Sequence, residues 1–296
     1  MNLGTKEEEI FNYLTFFGLK EPPFSLTPDP AYFFPSSNHI KIIEILKYGI
    51  FKKEGFIVLT GAPGLGKTLI IKLLLNFLPE DYQKVFLLTP TLSPQEIISA
   101  LCRALNLCVE EDFSLSKETT LNLLYKALKE LQQQGKTLII IIDEAQNLPI
   151  ETLEELRLLS NFETEKNKLI QFFLVGQPLL TDKLRNDKLY QLSQRITIWE
   201  NLTPFNLEET GEYIRFRLAK AGHPVIIFER GFEKLLYKMT QGIPRLINKL
   251  MDRTLLVAYA ERSQKIKKKH LKIARASFPD EVFPIKTRTF FGIRTK

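Results

Sequence analysis

Cysteine, histidine and long apolar runs are scarce in this sequence. Its 296 residues include 2 cysteines and 3 histidines. Cys102 and Cys108 fall six apart in what reads as one helix and its exit, and His39, His223 and His270 are not grouped with them. A structural disulfide and a zinc site are therefore not expected, and two buried reduced thiols are. No apolar run approaches the ~20 residues of a bilayer-spanning helix. The opening MNLGTKEEEI is acidic where a secretory leader is basic and then apolar, so a cytoplasmic location is expected. Internal repeats and low-complexity tracts are absent as well.

Net charge is close to zero over most of the chain and concentrated at one end. The net charge is +7, yet Arg262 to Lys296 carries 11 Lys/Arg against 2 Asp/Glu, a net of +9 that leaves about −2 for residues 1–261. KIKKKHLKIA and KTRTFFGIRTK have the charge to meet nucleic acid, anionic lipid or an acidic partner. A solvated helix face with a frayed end is the plain alternative. No aromatic interleaves Lys265, Lys267, Lys268, Lys269 and Lys272, so base stacking is not suggested and backbone contact to duplex DNA is the supportable mode. FFGIR at 290–294 is an apolar plug that fits a docking peptide equally well.

What is present begins with strands. FIVLT (56–60), KVFLLT (84–89), LIIII (138–142), IQFFLVG (170–176) and ITIW (196–199) recur with helical stretches between them, and four of the five do not alternate. Unalternated β-branched runs mark strands covered on both faces, so the fold class expected is α/β, with a doubly wound parallel five-stranded core. Helices are expected over 69–78, 94–105, 118–134 and 151–162 from apolar spacings of three and four. From Pro204 strand signal ends and three helices follow, punctuated by Gly222 and Gly242, as a small C-terminal helical lid. Ahead of the core, residues 16–35 hold five prolines and six aromatics and read as an extended segment lying on another surface. The expected organisation is 1–50 as that segment plus a helix, 51–203 as the core, 204–277 as the lid and 278–296 as a basic tail.

GAPGLGKT, Gly61 to Thr68, follows the first strand and precedes the helix LIIKLLLNFL, the context a phosphate-binding loop requires. Its glycines let backbone amides curl around phosphates, and the helix N-terminus adds its dipole. Gly61, Ala62, Pro63, Gly64, Leu65, Gly66, Lys67, Thr68 and Leu69 are the expected nucleotide contacts, with Lys67 reaching the β and γ oxygens and Thr68 holding Mg²⁺. LIIIIDEAQNL then runs five aliphatic residues into two acids. A bare strand leaving the core explains polarity there; a loop holding MgATP explains these particular acids, because it needs a carboxylate at a neighbouring strand end. Asp143 fits as the second metal-side residue and Glu144 as the base that orients and deprotonates water.

Taken together, FGLKEPPFSLTPDPAYFFPS, GAPGLGKT, LTPTLSP, IIIIDEAQNL, LRLLSNFET, FFLVGQPLL, LSQRI and GIPRLIN resemble an AAA+ ATPase. The likeness, over about residues 13–250, is narrower still to the general secretion pathway protein A (ExeA-type) family, which is also similar to TnsC-type transposition ATPases. The resemblance implies that Gln177 is a sensor of the γ-phosphate or the water. It implies that Arg245 grips the γ-phosphate from the lid, and that Arg195 is an arginine finger acting on a neighbouring subunit, with Arg185 as competitor. It further implies a ring or helical homo-oligomer driven by ATP and Mg²⁺, a membrane-protein partner that would make the protein peripheral at the inner membrane, or duplex DNA. Secretion members carry a transmembrane segment and a peptidoglycan-binding region after the ATPase; neither is expected in these residues. Tyr32, Phe33 and Phe34 fit either an adenine wall or core packing.

Overall fold

A computed structural model describes residues 13–53, 55–87, 91–107, 116–163, 168–222 and 226–283. They divide into two compact units: Ser37–Pro63 with Lys67–Thr203, and the residues up to Ser36 with Gly64–Gly66 and those from Pro204 on.

The first unit is a five-stranded parallel sheet made of β1 (Phe56–Gly61), β2 (Tyr82–Leu87), β3 (Thr137–Ile142), β4 (Ile170–Gly176) and β5 (Ile196–Leu202). The order across the sheet is β2-β3-β4-β1-β5, every pair parallel. β1, β3 and β4 are buried at every position, because helices cover both faces and no side chain has water to meet. The edge strands β2 and β5 are only partly buried, having one flank open. α1 (Ser37–Phe51), α2 (Lys67–Phe77), α3 (Pro94–Ala104), α4 (Lys117–Gln133), α5 (Ile150–Leu159), α6 (Pro178–Leu184) and α7 (Tyr190–Ser193) complete the layers. α3 starts where its sequence says it should: Ser93 and Glu96 form a reciprocal capping box, with Pro94 in the first turn.

The second unit contains α8 (Leu207–Lys220), α9 (Phe232–Thr240), α10 (Pro244–Ala260) and α11 (Lys268–Ala276). Three helices were expected here; α11 is a fourth. His270, Leu271 and Ala274 are buried while Lys267, Lys269 and Lys272 stay exposed, so the lysine-rich stretch is an amphipathic helix packed by every third or fourth residue. A high lysine count hid a narrow apolar stripe.

The Pro/aromatic segment belongs to this unit. Tyr13, Phe17 and Phe24 join Phe205, Tyr213, Ile214, Leu250 and Leu271 in one apolar cluster, and Phe34 packs edge-on against Phe205 and Tyr213. An extended strap has no sheet neighbour to receive its carbonyls. Buried Arg217 solves this by donating to the carbonyls of Pro23 and Ser25 (3.2 Å for the latter) while its guanidinium lies 4.4 Å from the Tyr32 ring centre. Asn248 adds a second donor to Ser25, at 3.2 Å. Phe34 and Tyr32 are therefore packing residues of this unit. The expected 1–50 piece divides, residues up to Ser36 grouping with the helices and Ser37 onward with the sheet.

Cys102 is fully buried in the sheet unit's core, as expected of a packing thiol. Cys108, His223, the acidic opening, the first three residues of LTPTLSP and the tail from residue 284 lie outside the described residues. Among the described residues no helix is long and apolar enough to cross a membrane.

Candidate active site

In a parallel sheet the carboxyl ends of all strands open on one edge, and it is there that a switch in strand order leaves a crevice. Here β1, β3 and β4 deliver three polar stretches to that edge: the loop after Gly61, the acids after Ile142 and Gln177 after Gly176.

The loop turns on glycine. Gly64 has φ +82°, and a Cβ there would stand 2.7 Å from the Cβ of Arg245, so both the conformation and the close approach demand its missing side chain. Arg245, the second residue of α10, donates its own N–H to the Gly64 carbonyl at 3.2 Å, and both belong to the helical unit. Lys67 opens α2 nearly buried, its Nζ donating to the carbonyls of Gly61 at 2.7 Å and Ala62 at 3.2 Å. Burial lowers the pKa of its ammonium, and Glu144 and Asp143 oppose that shift.

Next to it, the Thr68 hydroxyl donates to Asp143 Oδ2 at 3.1 Å. Asp143 is buried, and its other oxygen accepts the Glu144 N–H at 2.9 Å. No group of three or more His, Cys, Asp or Glu among the described residues would cage a metal. One hydroxyl and one carboxylate suit a hard cation that keeps waters and takes its other ligands from phosphates, which is how Mg²⁺ behaves. The donor set fits.

Glu144 sits in left-handed backbone, φ 53° and ψ 35°, where a residue with a side chain is rarely found. Its Oε2 accepts from Gln177 Nε2 at 3.1 Å and from Gln146 Nε2 at 2.6 Å. Lys67, Thr68, Asp143, Glu144 and Gln177 are thus brought into one connected polar cluster. Sequence reasoning missed Gln146, although it stands three residues past Asp143 in the same DEAQ stretch.

Arg195 lies elsewhere. The next residue, Ile196, pairs with Phe56 at the start of β1, which puts Arg195 on the opposite edge of the sheet from the loop. A six-residue strand separates those edges by about 20 Å. Its Nη1 donates to the Arg157 carbonyl (3.2 Å), Ser160 Oγ (2.7 Å) and Asn161 Oδ1 (2.6 Å), closing the C-terminal end of α5. Arg185 is exposed just after α6.

Residues 51–184 match the AAA domain family. This segment is an AAA domain. Over 254 residues, 86% of the chain and 46% of the relative, the sequence is 40% identical to general secretion pathway protein A of Aeromonas hydrophila. The chain therefore spans about half the length of that relative. Among solved structures, Cdc6p of Pyrobaculum aerophilum matches with a TM-score of 0.64 at 18% identity, over 88% of this chain and 72% of that one. ORC1 of Aeropyrum pernix, solved in complex with DNA, matches with a TM-score of 0.61 at 19% identity, over 86% and 69%. At those identities the likeness is one of fold: an AAA+ P-loop α/β core followed by helices.

Proposed function

We propose that this protein binds and hydrolyses MgATP as an oligomeric AAA+ ATPase. In this reading it uses the cycle to assemble or remodel a secretion or pilus-type envelope machine through a membrane-protein partner. The observation that carries the chemistry is the cluster in which Thr68 touches Asp143 and Gln177 touches Glu144. The secretion role rests on the 40% identity to general secretion pathway protein A.

In this reading the loop amides and Lys67 hold the phosphates, and Thr68 and Asp143 hold Mg²⁺, which when bound neutralises the charge on the phosphate oxygens. Glu144 orients a water and takes its proton as the water oxygen bonds to the γ-phosphorus and the bond to the bridging oxygen breaks. Gln177 contacts the γ-phosphate or that water, and Arg245 grips the γ-phosphate with its planar fork. Arg195 serves a neighbouring subunit.

The test is a pair of variants measured for nucleotide affinity, turnover and size. Lys67→Ala is expected to lose nucleotide. Glu144→Gln is expected to keep it, to lower turnover by about 10²–10⁴-fold and to persist as the ATP-bound assembly. Unchanged steady-state turnover in Glu144→Gln sinks the assignment of the base.

A second reading is favoured by α11 and the turn before it, where Arg262, Lys265, Lys267, Lys269 and Lys272 are exposed. Such a surface suits duplex DNA held through its phosphates, without sequence preference. DNA-stimulated turnover that falls steeply across a salt series supports this role; turnover indifferent to DNA at every salt concentration supports the envelope role.

A further inference from the structure

We propose that Gln146 is a positioning residue for hydrolysis, its side-chain amide holding the Glu144 carboxylate in the attitude from which it takes a proton from water. The proposal rests on Glu144 being the base. Gln146 is 5% exposed, and both ends of its side chain are used. Its Oε1 accepts the backbone N–H of Gln177 at 3.0 Å, and its Nε2 donates to Glu144 Oε2 at 2.6 Å.

The orientation of this amide follows from its partners. A backbone N–H can only donate, so the end facing Gln177 is the oxygen, and the NH₂ must face the carboxylate. The slot is also tailored to it: a Cβ on Gly176 would come within 2.7 Å of Gln146 Oε1. Lys183 Nζ donates to the carbonyls of Gln146 and Leu148 (2.8 Å for the latter), pinning the turn that carries Gln146 to α6.

A residue that merely filled space here would cost less as an apolar side chain, since a buried amide must find every partner it lost in water. This one spends its two partners linking the end of β4 to the base. With Gln146 and Gln177 both donating to Oε2, that oxygen of the carboxylate is held, while neither of these two bonds ends on Oε1. Glu144 sits in left-handed backbone, a conformation that persists only where its surroundings fix it, and the two amides are part of those surroundings. The same amides connect the base to Gln177, so a group contacting Gln177 is one hydrogen bond from the base.

Gln146→Met keeps the length and removes both polar ends. The expected result is a fall in kcat of about 10–100-fold with KM for ATP and the Kd for a slowly hydrolysed ATP analogue unchanged, and with Tm lowered only modestly by loss of the acceptor of the Gln177 N–H. In the Glu144→Gln background the same substitution is expected to lower residual turnover no further, because there is no base left to position. Should Gln146→Met fail to fold, Gln146→Asn keeps an amide in the slot one methylene short and is expected to give the same split. A kcat within about twofold of the parent in a folded variant overturns the proposal, as does a loss that multiplies with Glu144→Gln or appears equally in Kd. Full turnover in Glu144→Gln alone overturns the base itself, so the two failures are distinguishable.

Discussion

At the scale of single residues, the site is organised by groups that hold one another. Lys67 spends its ammonium on two carbonyls of its own loop, Thr68 leans on Asp143, and Glu144 is held by two amides. Each of these contacts can be exchanged for one to a phosphate, a metal or a water at little net cost, since one hydrogen bond replaces another. Preorganisation of this kind keeps the reorganisation needed at the moment of reaction small. The loop and the two acids were legible in the sequence because their chemistry depends on local spacing and on the strand before them. Gln146 was not, because its meaning lies in Gln177 and Gly176, thirty residues away and joined to it only by strand pairing. Arg195 was legible as a position, while its hold on Ser160 and Asn161 was not.

At the scale of elements, the sheet was readable to within a residue or two wherever a strand is central, because full burial removes the alternation and leaves β-branched runs such as LIIII. Its neighbours were less so. α11 was concealed by its lysines, and the strap of residues 16–35, read as extended throughout, begins in a helical turn at Phe16 and Phe17 and carries a 3-10 turn at Pro30–Tyr32, and its sequence gave no sign of what holds it. That holder is Arg217, which is 6% exposed and bonded to two strap carbonyls and to the Tyr213 hydroxyl. Removing it would take the Arg217 donor from the Pro23 carbonyl, leave the Ser25 carbonyl to Asn248 and take away the stacking on Tyr32. Arg217→Ala is therefore expected to destabilise the protein by about 2–4 kcal/mol, against less than about 1 kcal/mol for alanine at the exposed Arg230. Equilibrium urea unfolding followed by tyrosine fluorescence checks it; equal midpoints for the two variants would show that the strap does not depend on Arg217.

At the scale of the whole molecule, one polypeptide places its candidate finger on the wrong edge of the sheet for its own loop. Arg195 and the loop are separated by the length of β1, about 20 Å, which no side chain spans. An arginine that assists phosphoryl transfer from there must do so in another copy, where such a residue is worth roughly 10³–10⁵ in rate. Its three contacts at the end of α5 mean that substitution also removes a helix cap, so folding has to be separated from catalysis. Mixing does this. Lys67→Ala subunits hold no nucleotide yet carry an intact Arg195, and Arg195→Ala subunits hold nucleotide without a finger. Each preparation alone is expected to be inactive, and the mixture to regain part of the parental turnover, passing through a maximum as the ratio is varied. Arg195→Ala with an unaltered Tm but no rescue at any ratio would remove Arg195 from the role and turn attention to the exposed Arg185, for which the same mixing series is run.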